Sequence, residues 1–141
     1  MQIIIDSNVL FSAIIRDSLT RKMIIEYQEE FLFPEYIFEE IEEHKQELFN
    51  KSKLSQEEYG LLLNKILSKV RIVKTSEIIK YREEALSIMN KIDADDALFI
   101  ACALAYPDSA IWSDDKRLKK QNKIRIFSTS EMMSYLSKKD F

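Results

Sequence analysis

The apolar positions of this chain fall into short continuous runs, separated by stretches where they recur at helical spacing. QIII (2–5) is short, apolar and β-branched, the pattern of a strand buried on both faces. EFLFP (30–34, stopped by Pro34), VRIV (70–73), AIWS (110–113) and IRIFS (124–128) read as four more strands. Helical spacing runs from residue 6 to about 28 with a break near 17–18, then over 35–50, from 55, over 75–89, over 93–105 and from Ser130. Ser55 and Glu58 make a capping-box signature, Thr75 or Ser76 opens the helix after VRIV, and a short charged helix is expected after AIWS. The order β-α-β-α-α-β-α-α-β-α-β-α predicts an α/β fold, a three-layer α/β/α sandwich around a central five-stranded parallel sheet. No repeat or linker interrupts it, so residues 1–141 are expected to form a single domain.

Composition narrows the class. One Gly and two Pro leave little sequence for loops, while 46% hydrophobic and 32% charged residues describe a globular chain. The single Cys102 excludes an internal disulfide and fits a reducing compartment. The longest apolar run, 97–106, is too short to span a bilayer, and MQIIIDSN lacks the basic flank of a signal peptide. A cytoplasmic protein with no membrane partner is the expectation. A net charge of −3 argues against gripping nucleic acid through bulk positive charge, yet 116–125 (KRLKKQNKIR) carries six basic side chains and no acidic one.

The acids then change the picture. Parallel sheets bind ligands at the carboxyl ends of their strands. Asp6 directly follows QIII, and Asp114 and Asp115 directly follow AIWS. Asp93, Asp95 and Asp96 crowd the first turn of an otherwise apolar helix. At about 100° per residue, Asp96 shares its face with Phe99, Ile100 and Ala103; Asp93 falls on nearly the same face and Asp95 points elsewhere. In the acidic helix, Ile37, Ile41 and Leu48 form the apolar stripe, and Glu40 is the glutamate that lies near it. Each acid alone is explained by capping or by a solvated helix face. Ser7, Ser113 and Asp114 already serve for capping, which leaves Asp6 and Asp115 spare. Carboxylates converging on one cleft repel one another, and a divalent cation relieves that cost. An all-oxygen donor set points to Mg²⁺ or Mn²⁺ rather than zinc.

At these residues the chain resembles the PIN-domain ribonucleases over nearly its whole length, through IIIDSNVLFSA, FPEYIFEEI, DDALFIACAL and IWSDDKRL. The resemblance implies strand order 3-2-1-4-5 and places the family's four metal-binding, catalytic acids on Asp6, Glu40, Asp96 and Asp115. It matches Ser7 and Ser113 to the small hydroxyl residues beside the first and last acids. Asp93 beside Asp96, and Asp114 beside Asp115, stay open as further ligands. Members often carry another acid two positions after the last one; here that position is Arg117, which bears on a second metal site and not on the fold. The resemblance further implies a metal-dependent endoribonuclease acting on single-stranded or structured RNA and a homodimer. It also implies, as in VapC-like members, a toxin with an antitoxin protein as partner. Lys116, Arg117, Lys119 and Lys120 are candidates to hold the substrate backbone, with a solvated helix as the alternative.

Competing assignments fare worse. A haloacid dehalogenase-like phosphatase needs a second aspartate where Asn8 stands, and a receiver domain needs an aspartate after VRIV, where Lys74 and Thr75 stand. The remaining rival is a non-catalytic PIN-like scaffold binding RNA or a protein. His44, Cys102 and Trp112 are read as core or structural residues.

Overall fold

The computed structural model describes residues 1–16, 18–89 and 94–139. In chain order the elements are β1 (Gln2–Ile5), α1 (Ser7–Ile15), α2 (Leu19–Glu26), β2 (Glu30–Pro34), α3 (Ile37–Glu43), α4 (Lys45–Ser52) and α5 (Gln56–Ser68). There follow β3 (Val70–Val73), α6 (Thr75–Ile78), α7 (Arg82–Met89), α8 (Ala94–Ala105), β4 (Ala110–Trp112), β5 (Ile126–Phe127) and α9 (Thr129–Lys139). The strands pair in parallel in the order β3-β2-β1-β4-β5, as expected.

Burial explains the composition of each strand. In the middle of the sheet Ile3, Ile4 and Ile5 are fully enclosed, as are Leu32, Ile111 and Trp112. Only continuous apolar runs suit positions covered on both faces. At the edges the demand relaxes: Arg71 of β3 is exposed, and Ile126 and Phe127 of β5 are half-buried. Register aligns Ile3 with Phe31 on one side and Ala110 on the other, and Ile5 with Trp112.

Helix α8 is apolar beyond its first turn because it is enclosed on most of its circumference. Ala97, Phe99, Ile100, Ala101, Cys102 and Ala103 are all buried, between the sheet and the pair α6 and α7. Phe99 meets Phe33 of β2 edge to face at 6.0 Å between ring centroids. Burial pushes the Cys102 thiol up to about 12, so it stays protonated and acts as a small core residue. Trp112 is likewise core, its indole N–H donating to Thr129 Oγ1 at 3.0 Å.

Local signals hold at most boundaries. Ser55 and Glu58 form the expected capping box, and Ser18 caps α2 by accepting from the Arg21 amide. Four expectations are corrected. The helix over 35–50 is broken at His44, which closes α3 and opens α4; periodicity hides the break because Ile37, Ile41 and Leu48 are buried on either side of it. The helix over 75–89 is interrupted by a 3₁₀ turn at Ile79–Tyr81, and the charged helix shrinks to the 3₁₀ turn Leu118–Lys120. IRIFS forms a strand only over Ile126–Phe127, since β4 offers it just two paired positions.

Among the described residues no helix is long and apolar enough to cross a membrane.

Ile4 sits at the centre of this arrangement with no exposed surface. Shortening it should cost about 0.5–1.5 kcal/mol for Ile4→Val and about 2–5 kcal/mol for Ile4→Ala, the cavity adding to the lost transfer energy. Denaturant unfolding followed by circular dichroism checks both values.

Candidate active site

The sheet places the site through its last ladder bonds. The Asp6 N–H donates to Trp112 O at 3.0 Å, and the Ser113 N–H donates to Phe127 O at 2.9 Å. Each bond fixes the residue that follows a strand, so Asp6 and Ser113 stand side by side at the carboxyl ends of β1 and β4. Ser113 Oγ then donates to Asp6 Oδ2 at 2.6 Å and accepts the Asp115 N–H at 3.1 Å. Both Asp6 and Ser113 are buried. Asp6 sits in the N-cap position of α1, where the Ser7 and Asn8 amides help to hold its carboxylate. Burial still leaves this carboxylate penalised for being charged, more than those amides and Ser113 offset.

A second serine repeats the arrangement. Ser7, the first residue of α1, donates from Oγ to Glu40 Oε1 at 2.5 Å, linking α1 to α3. That bond draws the inward-facing glutamate of α3 towards the start of α1, as its place beside the apolar stripe predicts.

Asp96 and Asp115 are tied to a cation instead. Asp115 Oδ1 accepts the Arg117 amide at 2.9 Å, and its two oxygens accept Arg117 Nε and Nη2 at 2.8–3.2 Å. The same Nη2 stands 3.6 Å from Asp96 Oδ2. Asp96 reaches that point because α8 buries Phe99, Ile100 and Ala103 on the face that Asp96 shares. The guanidinium therefore joins the ends of α8 and β4.

The other candidates separate. Asp114 turns away to cap α9, accepting the Thr129 N–H at 2.7 Å and the Thr129 hydroxyl at 2.6 Å. Asp93 lies outside the described residues. Lys119 pairs with Glu131, pulling that carboxyl down to about 2, while Lys116 and Lys120 are exposed. His44 is not a core residue: its side chain is 44% exposed, edge-on to Phe11 at 5.7 Å and 3.6 Å from Glu47. The break between α3 and α4 turns it to the surface.

Two adjoining cavities run past the acids. One of about 270 Å³ is lined by Asn8, Ser12, Thr20, Asp114 and Asp115. The other, about 420 Å³, shares Asn8 and Ser12 and continues to Glu40, His44 and Phe11. Sequence reasoning gave Asn8, Ser12 and Phe11 no place in the site. Helical spacing offered the signal, since Asn8 and Ser12 are four residues apart on α1 and His44 lies one turn beyond Glu40. A larger cleft of about 630 Å³ sits at the opposite, amino ends of the strands near Met1, Ser109 and Arg125, far from these acids.

The electrostatics are uneven. Burial pushes the Asp6 carboxyl above its ordinary range, with the Asp115 charge adding to the rise and the Ser113 hydroxyl opposing it. The Arg117 hydrogen bonds hold Asp115 below that range. Among the described residues no three His, Cys, Asp or Glu side chains already converge on one ion-sized point. The donor set is nonetheless chemically suited to a hard divalent cation. Its oxygens come from β1, α3, α8 and the end of β4, and its most buried acid is penalised for being charged.

A raised folded-state value has a definite sign. Neutral Asp6 stabilises the fold below the unfolded value, and that contribution is lost as pH rises through the folded one. In EDTA at neutral pH, Asp6→Asn should therefore melt a few degrees above wild type, with the gap closing as the solution is acidified. Thermal unfolding of the two proteins across the acid-to-neutral range checks this.

Comparison with known proteins agrees with the fold. A chain in the crystal structure of VapBC2 from Rickettsia felis, bound to a DNA fragment from their promoter, superposes with a TM-score of 0.68. The match covers 91% of this chain and 98% of that one at 15% identity. No curated protein sequence matches the chain. The family pattern described as the PIN domain matches residues 4–137. The chain belongs to the PIN-domain family.

Proposed function

We propose that this protein is a divalent-metal-dependent endoribonuclease that hydrolyses phosphodiester bonds in RNA, with Asp6, Glu40, Asp96 and Asp115 as its working acids. The observation that carries the reading is the pair of buried serine hydroxyls, Ser113 on Asp6 and Ser7 on Glu40, that aim carboxylates from β1 and α3 at one end of the sheet.

Asp6 and Asp96 would hold Mg²⁺ or Mn²⁺ directly, and Asp115 and Glu40 would do so directly or through water. The ion supplies a Lewis acid that makes water easier to deprotonate and offsets charge developing on the phosphate. The chain's own groups do the rest. Ser113 and Ser7 hold Asp6 and Glu40 in place, which limits the reorganisation needed when substrate arrives. Glu40, fixed through Oε1, orients the attacking water and accepts its proton. Lys116 and Lys120, exposed cations that closely follow Asp115 in the chain, guide the RNA backbone, whereas Lys119 is engaged by Glu131.

The protein acts in the cytoplasm as the toxin of a toxin–antitoxin pair and forms a homodimer. PIN-domain membership supports the toxin-nuclease part of this reading. The fold neighbour's occurrence in VapBC2 with promoter DNA supports a protein partner. A PIN-like scaffold that binds RNA or protein without cutting is the second reading, favoured by the lack of a ready-made ion cage among the described residues.

Cleavage of labelled single-stranded and structured RNAs in Mg²⁺, Mn²⁺ or EDTA separates the two. Asp6→Asn and Asp96→Asn should each lower metal-dependent cleavage by at least about 100-fold. Ser113→Ala and Ser7→Ala, which leave the acids but free them, should lower it by about 10–100-fold. Equal cleavage by wild type and both Asn variants would sink the assignment.

A further inference from the structure

A cation already sits among the acids. Arg117 donates from its backbone N–H, Nε and Nη2 to Asp115, engaging both carboxylate oxygens, while Nη2 stands 3.6 Å from Asp96. Asp6 and Glu40 are held differently, by hydroxyls. The difference matters for an incoming metal. A serine hydroxyl is uncharged and occupies one lone pair, so the carboxylate it holds can still bind an ion through the others. A guanidinium spread across both oxygens of Asp115 takes the lone pairs that an ion would use, and its positive charge repels that ion.

We propose that Arg117 is a built-in counter-ion that competes with the divalent metal for Asp115 and Asp96, so that metal entry requires its guanidinium to swing out. The inference rests on the metal-dependent reading of the site and adds to it a residue that sets metal affinity. Three features fit. The two acids bound by Arg117 come from different elements, β4 and α8, so the guanidinium bridges the positions where one ion would join them. The Arg117 side chain is 52% exposed while those of Asp96 and Asp115 are 14% and 20% exposed, so the arm has open solvent to move into and the acids stay in place. Turned towards Arg117, the acids also do not converge on a single point, which accounts for the missing preformed cage among the described residues.

Such competition lowers apparent metal affinity by the fraction of molecules in which the acids are released. Removing the fork should recover that factor. Mn²⁺ titration by calorimetry should show Arg117→Gln binding about tenfold tighter than wild type. Arg117→Lys keeps the charge without the two-pronged geometry, and should also bind more tightly than wild type. In ¹⁵N-labelled wild type, the Arg117 Nε–H signal, assigned by its loss in Arg117→Gln, should move and exchange faster with water when Mg²⁺ is added.

Equal Mn²⁺ affinity in wild type and Arg117→Gln, with the Nε–H signal unmoved by Mg²⁺, would overturn the competition and leave the ribonuclease reading intact. So would an Arg117→Lys affinity equal to wild type, since charge alone would then be acting. Absence of Mn²⁺ binding in all three proteins would overturn the metal site itself, and the inference with it.

Discussion

The bond from the Asp6 amide to the Trp112 carbonyl, at 3.0 Å, is the constraint on which the site depends. It is the last rung between β1 and β4, and it sets residues 6 and 113 shoulder to shoulder across a gap of more than a hundred positions in sequence. From that single registration follow the Ser113–Asp6 hydrogen bond, the Ser113–Asp115 contact and the approach of Asp115 to the end of α8. A one-residue slip between these strands would carry Trp112 to the opposite face of the sheet and break the Ser113–Asp6 hydrogen bond. Packing and chemistry are thus selected together: Trp112 must be buried for Ser113 to be in place.

The site is a compromise between burial and charge. Asp6 is kept in a place where ionisation is disfavoured, and the fold tolerates it through one hydroxyl and the nearby start of a helix. Asp115 has the opposite situation, lowered by Arg117 and partly open to solvent. Neighbouring carboxylates with opposed environments are a recurring arrangement at sites that handle cations or protons. Here the imbalance also says where an incoming cation would do most, at the Asp6 side, where among the described residues no Lys, Arg or His is paired with the acid.

Much of this was legible in the sequence, for identifiable reasons. Strands buried on both faces must be apolar runs, so QIII, FLF within EFLFP, and AIW declared themselves and VRIV followed from its β-branched composition, whereas β5 pairs at only two positions and its boundaries did not. The acids Asp6 and Asp115 were readable because strand ends are fixed points of a parallel sheet, and Glu40 and Asp96 because helical phase tells which side faces in. What escaped depends on tertiary contact. The break at His44 leaves the periodicity of Ile37, Ile41 and Leu48 untouched, so a residue read as core is instead at the rim of the groove. Asp114 was assigned to capping while staying open as a ligand, and only the position of Thr129 shows that the helix it caps is α9. Arg117 looked like one cation of a basic strip until Asp115 and Asp96 were seen around it.

The central claim is that the acids at the ends of β1, β4 and α8 hold a divalent ion. The most direct measurement is anomalous diffraction from crystals soaked in Mn²⁺. The account predicts a peak within ligand distance of Asp6 and Asp96, at about 2.0–2.6 Å from their carboxylate oxygens, with Arg117 displaced from Asp115. A full-occupancy peak elsewhere, or none at saturating Mn²⁺ with Arg117 still seated on Asp115, would contradict it.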